Sequence, residues 1–249
     1  MKTVAVLPAR MGSSRFPGKP LAPILGRPMI EHVYHRVAMS KSLDGVYVAT
    51  CDQAIFDIVE AFGGKAVMTS DRHERASDRI AEAAESIAAD VFVMVQGDEP
   101  MTHPDMIDEA MAPIFADPTI QCVNLLKRIE NEADYRNPNT IKVVVGPDNN
   151  ALYFSRSPIP ASAKNDFSTI KAYKQVCIIP FTRASLAKFA ALSPTPLEIA
   201  ESVDMMRFLE HGAPVHMAPT KFDTQAVDDT NDLKRVEALM RSDPLTTQY

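Results

Sequence analysis

Strand-like and helix-like segments alternate along the first half of the chain, and this alternation constrains the fold more than any other sequence feature. Short β-branched runs such as TVAVL are each followed by a longer stretch with apolar residues at helical spacing. The expected strands are residues 3–7, 45–50, 65–68 and 90–95, and the expected helices are residues 28–39, 53–62, 77–88 (capped by Ser77) and 104–115. This pattern predicts an α/β fold whose mixed, mostly parallel sheet is covered by helices on both faces, in three layers.

The pattern changes after Gln121, where strand-like segments follow one another with few helices between them. Strands are expected at 121–126, 140–145 and 151–155, a polar mobile loop at 164–169, helices at 184–192 and 196–209, a strand at 213–218, a last helix at 229–240 and a frayed tail at 241–249. The turn sequence GPDNN at 146–150 predicts a hairpin. Without a linker or repeat, we expect one domain, residues 1–249, with a β-rich insertion at about 121–182.

Charge and cysteine content exclude several classes of protein. The 249-residue chain carries 26 Lys and Arg against 32 Asp and Glu, a net charge of −6, which argues against a basic face that binds nucleic acid. No apolar run approaches the ~18 residues of a membrane helix, and no signal peptide is recognisable. Cys51, Cys122 and Cys177 lack the spacing of a zinc site. We therefore expect a cytoplasmic protein with reduced thiols and neither nucleic-acid nor membrane partners.

The segment PARMGSSRFPGKP, residues 8–20, follows the first expected strand and has the composition of a polyphosphate-binding loop. It carries Arg10, Arg15 and Lys19, two hydroxyls, and glycines at positions 12 and 18. Open α/β sheets bind ligands at the carboxyl ends of their strands, where this loop lies. Five residues separate Gly12 from Gly18 and Pro20 follows the lysine, so the segment is not a Walker A loop. A G-x-G-x-x-G dinucleotide motif is also absent.

Acidic residues follow two other expected strands. VFVMVQGDEP, residues 91–100, is a buried-strand pattern that ends in Asp98 and Glu99, and Asp228 and Asp229 follow the strand-like residues 224–227. Carboxylates opposite a phosphate-binding loop are where Mg²⁺ is expected, because this ion takes one or two carboxylates together with substrate phosphates. Asp229 and Asp232 are better explained as charges at the start of the last helix.

The phosphate loop and its continuation resemble the sugar-acid cytidylyltransferases, most closely the branch that activates 3-deoxy-manno-octulosonate (Kdo). The resemblance begins with PARMGSSRFPGKPLAPILGRPMIEHVYHRV and continues in order through VATCDQ, MTSDRHERASDRIAEA, VQGDEPM, NPNTIKVV, ALYFSRSPIP and VDDTNDLKRVEALM. It covers nearly the whole chain. The resemblance implies a Rossmann-like nucleotidyltransferase fold and a homodimer formed through the β-rich insertion. Because residues 176–181 are apolar, we expect them to contribute to that interface.

The resemblance also implies a reaction: attack of an acceptor hydroxyl on the α-phosphate of CTP, with pyrophosphate leaving. By this resemblance Arg10, Lys19, Asp98 and Asp228 are catalytic, and Asp98 and Asp228 hold Mg²⁺. The implied nucleotide-binding positions are Pro8, Ala9, Arg10, Gly12, Ser13, Arg15, Lys19, Ser77, Arg79 and Asp98. Near the expected cytosine contact, Arg75 and Ala76 stand where the family has a Ser-Gly pair. None of the six histidines is assigned a catalytic role, and His32 and His35 are expected to be partly solvated.

The acceptor half of the implied site departs from the family pattern. Its matching positions are Gln96, Arg156, Gln175, Asp204 and Met205. Gln175 stands in place of a family histidine, and Asp204-Met205 in place of a Glu-Gln pair. Losing a polar side chain removes the recognition that best discriminates hydroxylated substrates. The function expected is therefore CMP transfer to Kdo or a close 2-keto-3-deoxy sugar acid. The alternatives are CMP transfer to another ulosonate or a phosphonate, and a non-catalytic nucleotide-binding protein.

Overall fold

A computed structural model describes residues 1–12, 16–164 and 166–249 of the chain. The chain folds as two compact units. The first consists of Met1–Asp108 together with Asp223–Tyr249, and the second of Glu109–Phe222. The second unit is therefore longer than the β-rich segment expected at about 121–182.

The first unit is built around a parallel sheet. Its elements are β1 Thr3–Ala9, β2 Pro23–Ile24, β3 Arg27–Pro28, α1 Met29–Ala38, β4 Gly45–Thr50, α2 Gln53–Ala61, β5 Ala66–Met68, α3 Ala76–Ser86, β6 Val91–Val95, the start of α4 Pro104–Ala116, and α9 Thr230–Met240. Four strands lie side by side in the order β6-β1-β4-β5, all parallel. The parallel sheet predicted from the alternating pattern is confirmed. All five residues of β6 are buried, as expected for a central parallel strand.

The start of α3 differs from the expected one. The helix begins at Ala76 with Arg75 in extended conformation at the cap position, so Ser77 does not cap it. Ser77 lies instead in the first turn and is fully buried, with its hydroxyl 3.8 Å from the sulfur of Met94. The prediction of a Ser77 cap is wrong because the chain enters the helical conformation before this residue, which places its side chain inside the protein.

The second unit has a mixed sheet. Its remaining elements are β7 Val123–Arg128, α5 Glu132–Arg136, β8 Lys142–Val145, β9 Ala151–Ser155, β10 Tyr173–Val176, β11 Ile178–Thr182, α6 Arg183–Ala191, α7 Pro196–Glu201, α8 Met205–Glu210 and β12 His216–Pro219. The strand order is β12-β7-β10-β8-β9, with β8 and β9 forming the expected antiparallel hairpin. The helix expected at 196–209 is interrupted, because Ser202 adopts a left-handed conformation with φ of 53°. Short helix α5 was not predicted.

Residues 176–181, expected to supply an apolar dimer interface, are already used inside the chain. Val176, Ile178, Ile179 and Phe181 are buried, and Val176 pairs with Leu125 of β7. These side chains are therefore not available for an interface in this conformation. The homodimer itself stays a prediction.

The three cysteines are free thiols, as expected. Cys122 is buried, and burial raises the pKa of its thiol. Cys51 and Cys177 are half-buried. Among the helices in the described parts of the chain, we find none with the length and apolar character that a bilayer crossing requires. The cytoplasmic location stays a prediction.

The chain end, expected to be frayed, packs onto helix α1 instead. Residues Pro244–Thr247 form a 3₁₀ turn, and Asp243 accepts a 2.6 Å hydrogen bond from the buried guanidinium of Arg36. The Tyr249 hydroxyl lies 2.8 Å from Nδ1 of His32 and accepts from Nε of Arg36 at 3.3 Å. The prediction of a frayed tail is wrong because its polar side chains find partners on a helix more than two hundred residues away in sequence.

His32 is fully buried rather than partly solvated, and this predicts a loss of stability in mild acid. Its Nε2 donates to the Ile24 carbonyl at 2.8 Å, so Nδ1 of the neutral ring accepts from Tyr249. Burial lowers the pKa of His32 below its ordinary value of 6.5. The unfolded chain therefore binds this proton at a higher pH than the folded chain. The free energy of unfolding should consequently fall as pH drops below about 6.5.

Urea titrations across this pH range measure the effect. The variant His32→Gln removes the titrating group and should flatten the acid-side slope. His211→Gln, which replaces an exposed histidine of the second unit, is the control and should leave the slope unchanged. An identical slope in wild type and His32→Gln would contradict the assignment of the effect to this ring.

Candidate functional site

Two neighbouring parallel strands bring the phosphate loop and the acidic segment to the same edge of the sheet. β1 and β6 pair in parallel, with Val6 opposite Met94, so their carboxyl ends are adjacent. The loop after β1 is closed by a 3.0 Å hydrogen bond from the Gly18 N–H to the Met11 carbonyl. Gly18 has φ of +75°, a conformation that disfavours side chains. Residues 96–98 follow β6 at the same edge.

A cavity of about 330 Å³ opens between these segments. It is lined by the start and end of the loop, by the segment that precedes α3, and by the residues after β6: Pro8, Ala9, Arg10, Gly12, Lys19, Pro20, His73, Glu74, Arg75, Ala76, Arg79, Gln96, Gly97 and Asp98. Gly97 packs so closely on β1 that a Cβ there would lie 2.9 Å from the Pro8 carbonyl oxygen. The lining contains four cationic side chains against two carboxylates, a composition suited to a polyanion.

Lys19 lies between the two predicted aspartates. Its Nζ donates to Oδ2 of Asp98 at 2.6 Å and lies 3.6 Å from Oδ1 of Asp228. The segments that carry the aspartates are joined through the backbone, because the Val227 N–H donates to the Asp98 carbonyl at 2.9 Å. The side chains of Lys19, Asp98 and Asp228 are 14%, 28% and 33% exposed, so a ligand can reach them. The sequence separates these groups by up to 209 positions, and the fold brings them together.

The two carboxylates fit the expected Mg²⁺ in their chemistry. They converge on one cationic atom, the Lys19 ammonium, and both supply the oxygen donors that Mg²⁺ prefers. The described residues contain no group of three or more His, Cys, Asp or Glu side chains arranged to hold a metal. This site can therefore supply two carboxylate ligands to Mg²⁺, and the substrate phosphates would complete the coordination.

The carboxylates that follow Asp228 have a structural role, as predicted. Asp229 is the N-cap of α9, and its side chain accepts from the backbone N–H groups of Asn231 and Asp232. Asp232 completes a capping box by accepting from the Asp229 N–H. Since Asp229 caps the helix, Asp228 is not required for capping.

The far wall of the cavity is held by Arg79 and His73. Arg79 is buried and donates to the Thr69 hydroxyl at 2.6 Å and to the Ser70 carbonyl at 3.2 Å. The His73 ring contacts the carboxylate of Glu82. Partial burial raises the pKa of Glu82, but hydrogen bonds from Ser70 and His73 outweigh it and the pKa is lowered overall. This wall is therefore fixed before any ligand arrives.

Most of the predicted nucleotide-binding residues line this cavity. Those that do are Pro8, Ala9, Arg10, Gly12, Lys19, Arg79 and Asp98. Ser77 does not, because its side chain is fully buried against Met94, and its expected contact with the nucleotide through the hydroxyl is wrong for this conformation. Ser13 and Arg15 lie outside the described residues.

The predicted acceptor residues are divided between the two units. Gln96 lines the cavity of the first unit, whereas Arg156, Gln175, Asp204 and Met205 belong to the second. The Arg156 guanidinium donates to the carbonyls of Glu201, Pro138 and Ser202.

The other three acceptor positions differ in exposure. Gln175 is half-buried on β10, and its amide donates to Asn124 at 2.6 Å. Asp204 is half-buried at the start of α8. Met205 is fully buried, so the prediction that it lines a pocket is wrong. Met205 is the first residue of α8, and it is buried together with the apolar residues Met206 and Phe208 of the same helix.

No role was assigned from the sequence to Asp52 or Arg75, which belong to this region. Asp52 belongs to the quoted VATCDQ segment but was given no role, and its carboxylate accepts from the Met11 N–H of the loop at 2.8 Å. Arg75 was noted only as a departure, and it lines the cavity. The alternating pattern already placed Asp52 at the carboxyl end of a strand next to β1, and that position was the available signal.

Comparison with known proteins supports this reading. Residues 4–222 match the family described as cytidylyltransferase. The chain is 44% identical to the 3-deoxy-manno-octulosonate cytidylyltransferase of Geobacter metallireducens, covering 97% of this chain and 99% of the relative. It is 43% identical to the enzyme of the same name from Pelobacter propionicus, covering 97% of this chain and 98% of the relative.

The fold agrees with a solved structure. That structure is a CMP:2-keto-3-deoxy-manno-octonic acid synthetase complexed with CTP. It superposes with a TM-score of 0.91 at 38% identity, covering 97% of this chain and 99% of the solved one. The predicted nucleotidyltransferase fold is confirmed. The chain therefore belongs to the cytidylyltransferase family, in the branch whose members are the 3-deoxy-manno-octulosonate cytidylyltransferases.

Proposed function

We propose that this protein transfers CMP from CTP to the anomeric hydroxyl of Kdo, or of a closely related 2-keto-3-deoxy sugar acid, and releases pyrophosphate. The observation that carries the proposal is the cluster of Lys19, Asp98 and Asp228 beside a cationic cavity at the carboxyl edge of a parallel sheet. The named relatives and the CTP-complexed structure support the choice of nucleotide and acceptor. The cavity supports the nucleotide more directly than it supports the acceptor.

The residues around the cavity provide an environment for each part of CTP. Arg10, where the loop leaves β1, and Lys19, at the other end of the loop, supply positive charge that offsets that of the triphosphate. A hydrogen bond from the Gly18 N–H to the Met11 carbonyl joins the two sides of the loop before the ligand arrives. The cavity wall formed by His73, Arg75 and Arg79 would contact the nucleoside part of CTP.

Asp98 and Asp228 would hold Mg²⁺, and Lys19, which lines the cavity, would neutralise phosphate charge. When bound, the ion supplies Lewis-acid stabilisation of phosphate charge and lowers the pKa of a coordinated hydroxyl. In the described structure Lys19 neutralises the same two carboxylates, so its side chain reaches both the acidic pair and the cavity.

The reaction forms one bond and breaks one. The acceptor hydroxyl oxygen bonds to the α-phosphorus of CTP, the bond from that phosphorus to the bridging oxygen breaks, and pyrophosphate leaves with the electron pair. The hydroxyl proton passes to water. The protein contributes by holding the reacting groups in line and by neutralising charge, which suffices for phosphoryl-type transfer without a histidine base.

A different acid acceptor is the second candidate, and Gln175 favours it. The side-chain amide of Gln175 already donates a hydrogen bond to Asn124. It therefore has fewer hydrogen bonds available for a sugar-acid substrate than a side chain without this contact. Another ulosonate or a phosphonate therefore belongs in any substrate panel. A protein that only binds nucleotides has no need for two converging carboxylates, and the acidic pair argues against that function.

Pyrophosphate release is the decisive experiment. The purified protein with CTP, Mg²⁺ and Kdo should release one pyrophosphate per CMP-sugar formed, while ATP or UTP in place of CTP should give much less. Other ulosonates and a phosphonate serve as competing acceptors in parallel reactions. Absence of pyrophosphate with every acceptor, although CTP binds, would leave the non-catalytic function as the better description.

A further inference from the structure

Asp52 follows β4 and occupies the position before helix α2, where an aspartate normally caps the helix. Its backbone is extended, with φ of −110° and ψ of 119°, which is ordinary N-cap geometry. The side chain nevertheless makes no capping hydrogen bond. Its Oδ2 atom accepts instead from the N–H of Met11, 41 residues earlier, at 2.8 Å. The carboxylate has therefore been diverted from a local role to a contact with the phosphate loop.

Met11 is the residue through which this contact acts on the loop. Its N–H is held by Asp52, and its carbonyl accepts from the Gly18 N–H at 3.0 Å. Met11 is therefore bonded both to Asp52, outside the loop, and to Gly18, on the other side of the loop. Arg10 and Lys19, the two described loop cations that line the cavity, lie directly outside this closure.

Asp52 is itself held firmly enough to fix the loop. Its N–H donates to the Thr50 hydroxyl at 3.1 Å, and its Oδ2 also accepts from the Cys51 thiol at 3.6 Å. Thr50 pairs with Ala9 across the β1–β4 ladder. The sheet therefore supports the loop on both sides. The segment after β4 contacts one side of the loop through Asp52, and Asp98 after β6 pairs with Lys19 on the other side.

We propose that Asp52 is a positioning residue for CTP, because it holds the start of the phosphate loop through the Met11 N–H before the nucleotide binds. This inference rests on the proposed function, since it takes the loop to be the phosphate site. When the binding segment is already held in place, less conformational entropy is lost on binding, so the ligand binds more tightly. Loss of the contact should therefore weaken CTP binding and leave the acceptor unaffected.

The chain contains a matched control. Asp44 Oδ2 accepts from the N–H of Thr3 at 2.7 Å, which is also a carboxylate-to-backbone contact across 41 residues onto β1. Thr3 lies at the opposite end of that strand from the loop. Asp44→Ala and Asp52→Ala thus remove the same type of hydrogen bond from the two ends of one strand.

The test compares Asp52→Ala, Asp52→Asn and Asp44→Ala with the wild type. Asp52→Ala should raise the Kd and KM for CTP about tenfold or more, since a charge-assisted hydrogen bond is lost. Its KM for Kdo should stay within about twofold. Asp52→Asn retains an acceptor oxygen and should recover most of the affinity for CTP. Asp44→Ala should leave the Kd for CTP unchanged.

Amide hydrogen exchange provides a readout independent of turnover. Without nucleotide, the peptide that contains Met11 should exchange faster in Asp52→Ala than in the wild type or Asp44→Ala. The proposal is overturned if Asp52→Ala binds CTP as tightly as the wild type, or if Asp44→Ala weakens CTP binding equally. A wild-type protein that binds CTP but makes no product with any acceptor would instead refute the proposed function.

Discussion

Asp98→Asn is expected to lower the rate of CMP transfer at least about 100-fold, equivalent to about 2.7 kcal/mol of activation free energy. The carboxylate is one of two that converge on Lys19, at 2.6 Å, and it is the first of the two proposed Mg²⁺ ligands. An amide keeps the shape of the side chain but not its charge, so it cannot offset a divalent cation. The fold should persist, because the segment is held to Val227 through the Asp98 carbonyl rather than its side chain.

Pyrophosphate release measured against Mg²⁺ concentration tests this expectation. Chelation of divalent cations should abolish wild-type turnover, and added Mg²⁺ should restore it. Asp105→Asn makes the same change of net charge at an exposed position in the first turn of α4, and should retain full activity. Thermal unfolding of both variants checks the fold. If Asp98→Asn keeps more than about a tenth of the wild-type rate, Asp98 is not a metal ligand.

The half of the site that sequence predicted well is the half that depends on backbone topology. Alternating segments fix a parallel sheet, and a parallel sheet places the ends of neighbouring strands together. Arg10, Lys19 and Asp98 therefore had to lie at one edge, as they do. The position of Lys19 between two aspartates was not predictable in the same way. It depends on Asp228, which comes from a segment 130 residues beyond Asp98.

The predictions that failed concern side chains whose environment is set by tertiary contacts. Ser77 and Met205 were assigned to a site by the alignment of short motifs, which does not show which way a helical residue faces. The predicted fraying of the tail fails because Arg36 and His32 on α1 supply partners for Asp243 and Tyr249. Local sequence patterns indicate secondary-structure propensity. The positions of these side chains depend instead on tertiary packing.

Arg156 is the predicted acceptor residue for which the structure changes the expectation most. Three of the five N–H groups of its guanidinium are directed at the carbonyls of Glu201, Pro138 and Ser202. Its own carbonyl accepts from Nζ of Lys142, a fully buried lysine, at 2.6 Å. Burial lowers the pKa of that lysine, with a smaller contribution from the nearby Arg156 charge. Arg156 is therefore held rigidly, which favours a fixed carboxylate-binding group.

Substitution of Arg156 should consequently affect both stability and the acceptor. Arg156→Ala leaves three carbonyls without this donor, so some loss of stability is expected. Arg156→Lys keeps a cation but not the planar fork that binds a carboxylate bidentately. If Arg156 binds the carboxylate of the acceptor, both variants should lower kcat/KM for Kdo about 100-fold, while the KM for CTP stays within about twofold.

Tyr153→Phe separates recognition from stability. The Tyr153 hydroxyl donates to Oε1 of Glu201 at 3.2 Å, and Oε2 of the same carboxylate accepts from the Arg156 N–H at 2.8 Å. This variant therefore loosens the support of Arg156 without touching its guanidinium. It should lower the unfolding temperature slightly and leave kcat/KM for Kdo nearly unchanged. If it reduces Kdo turnover as much as Arg156→Lys does, or if Arg156→Lys weakens CTP and Kdo equally, then Arg156 supports the fold and does not bind the acceptor.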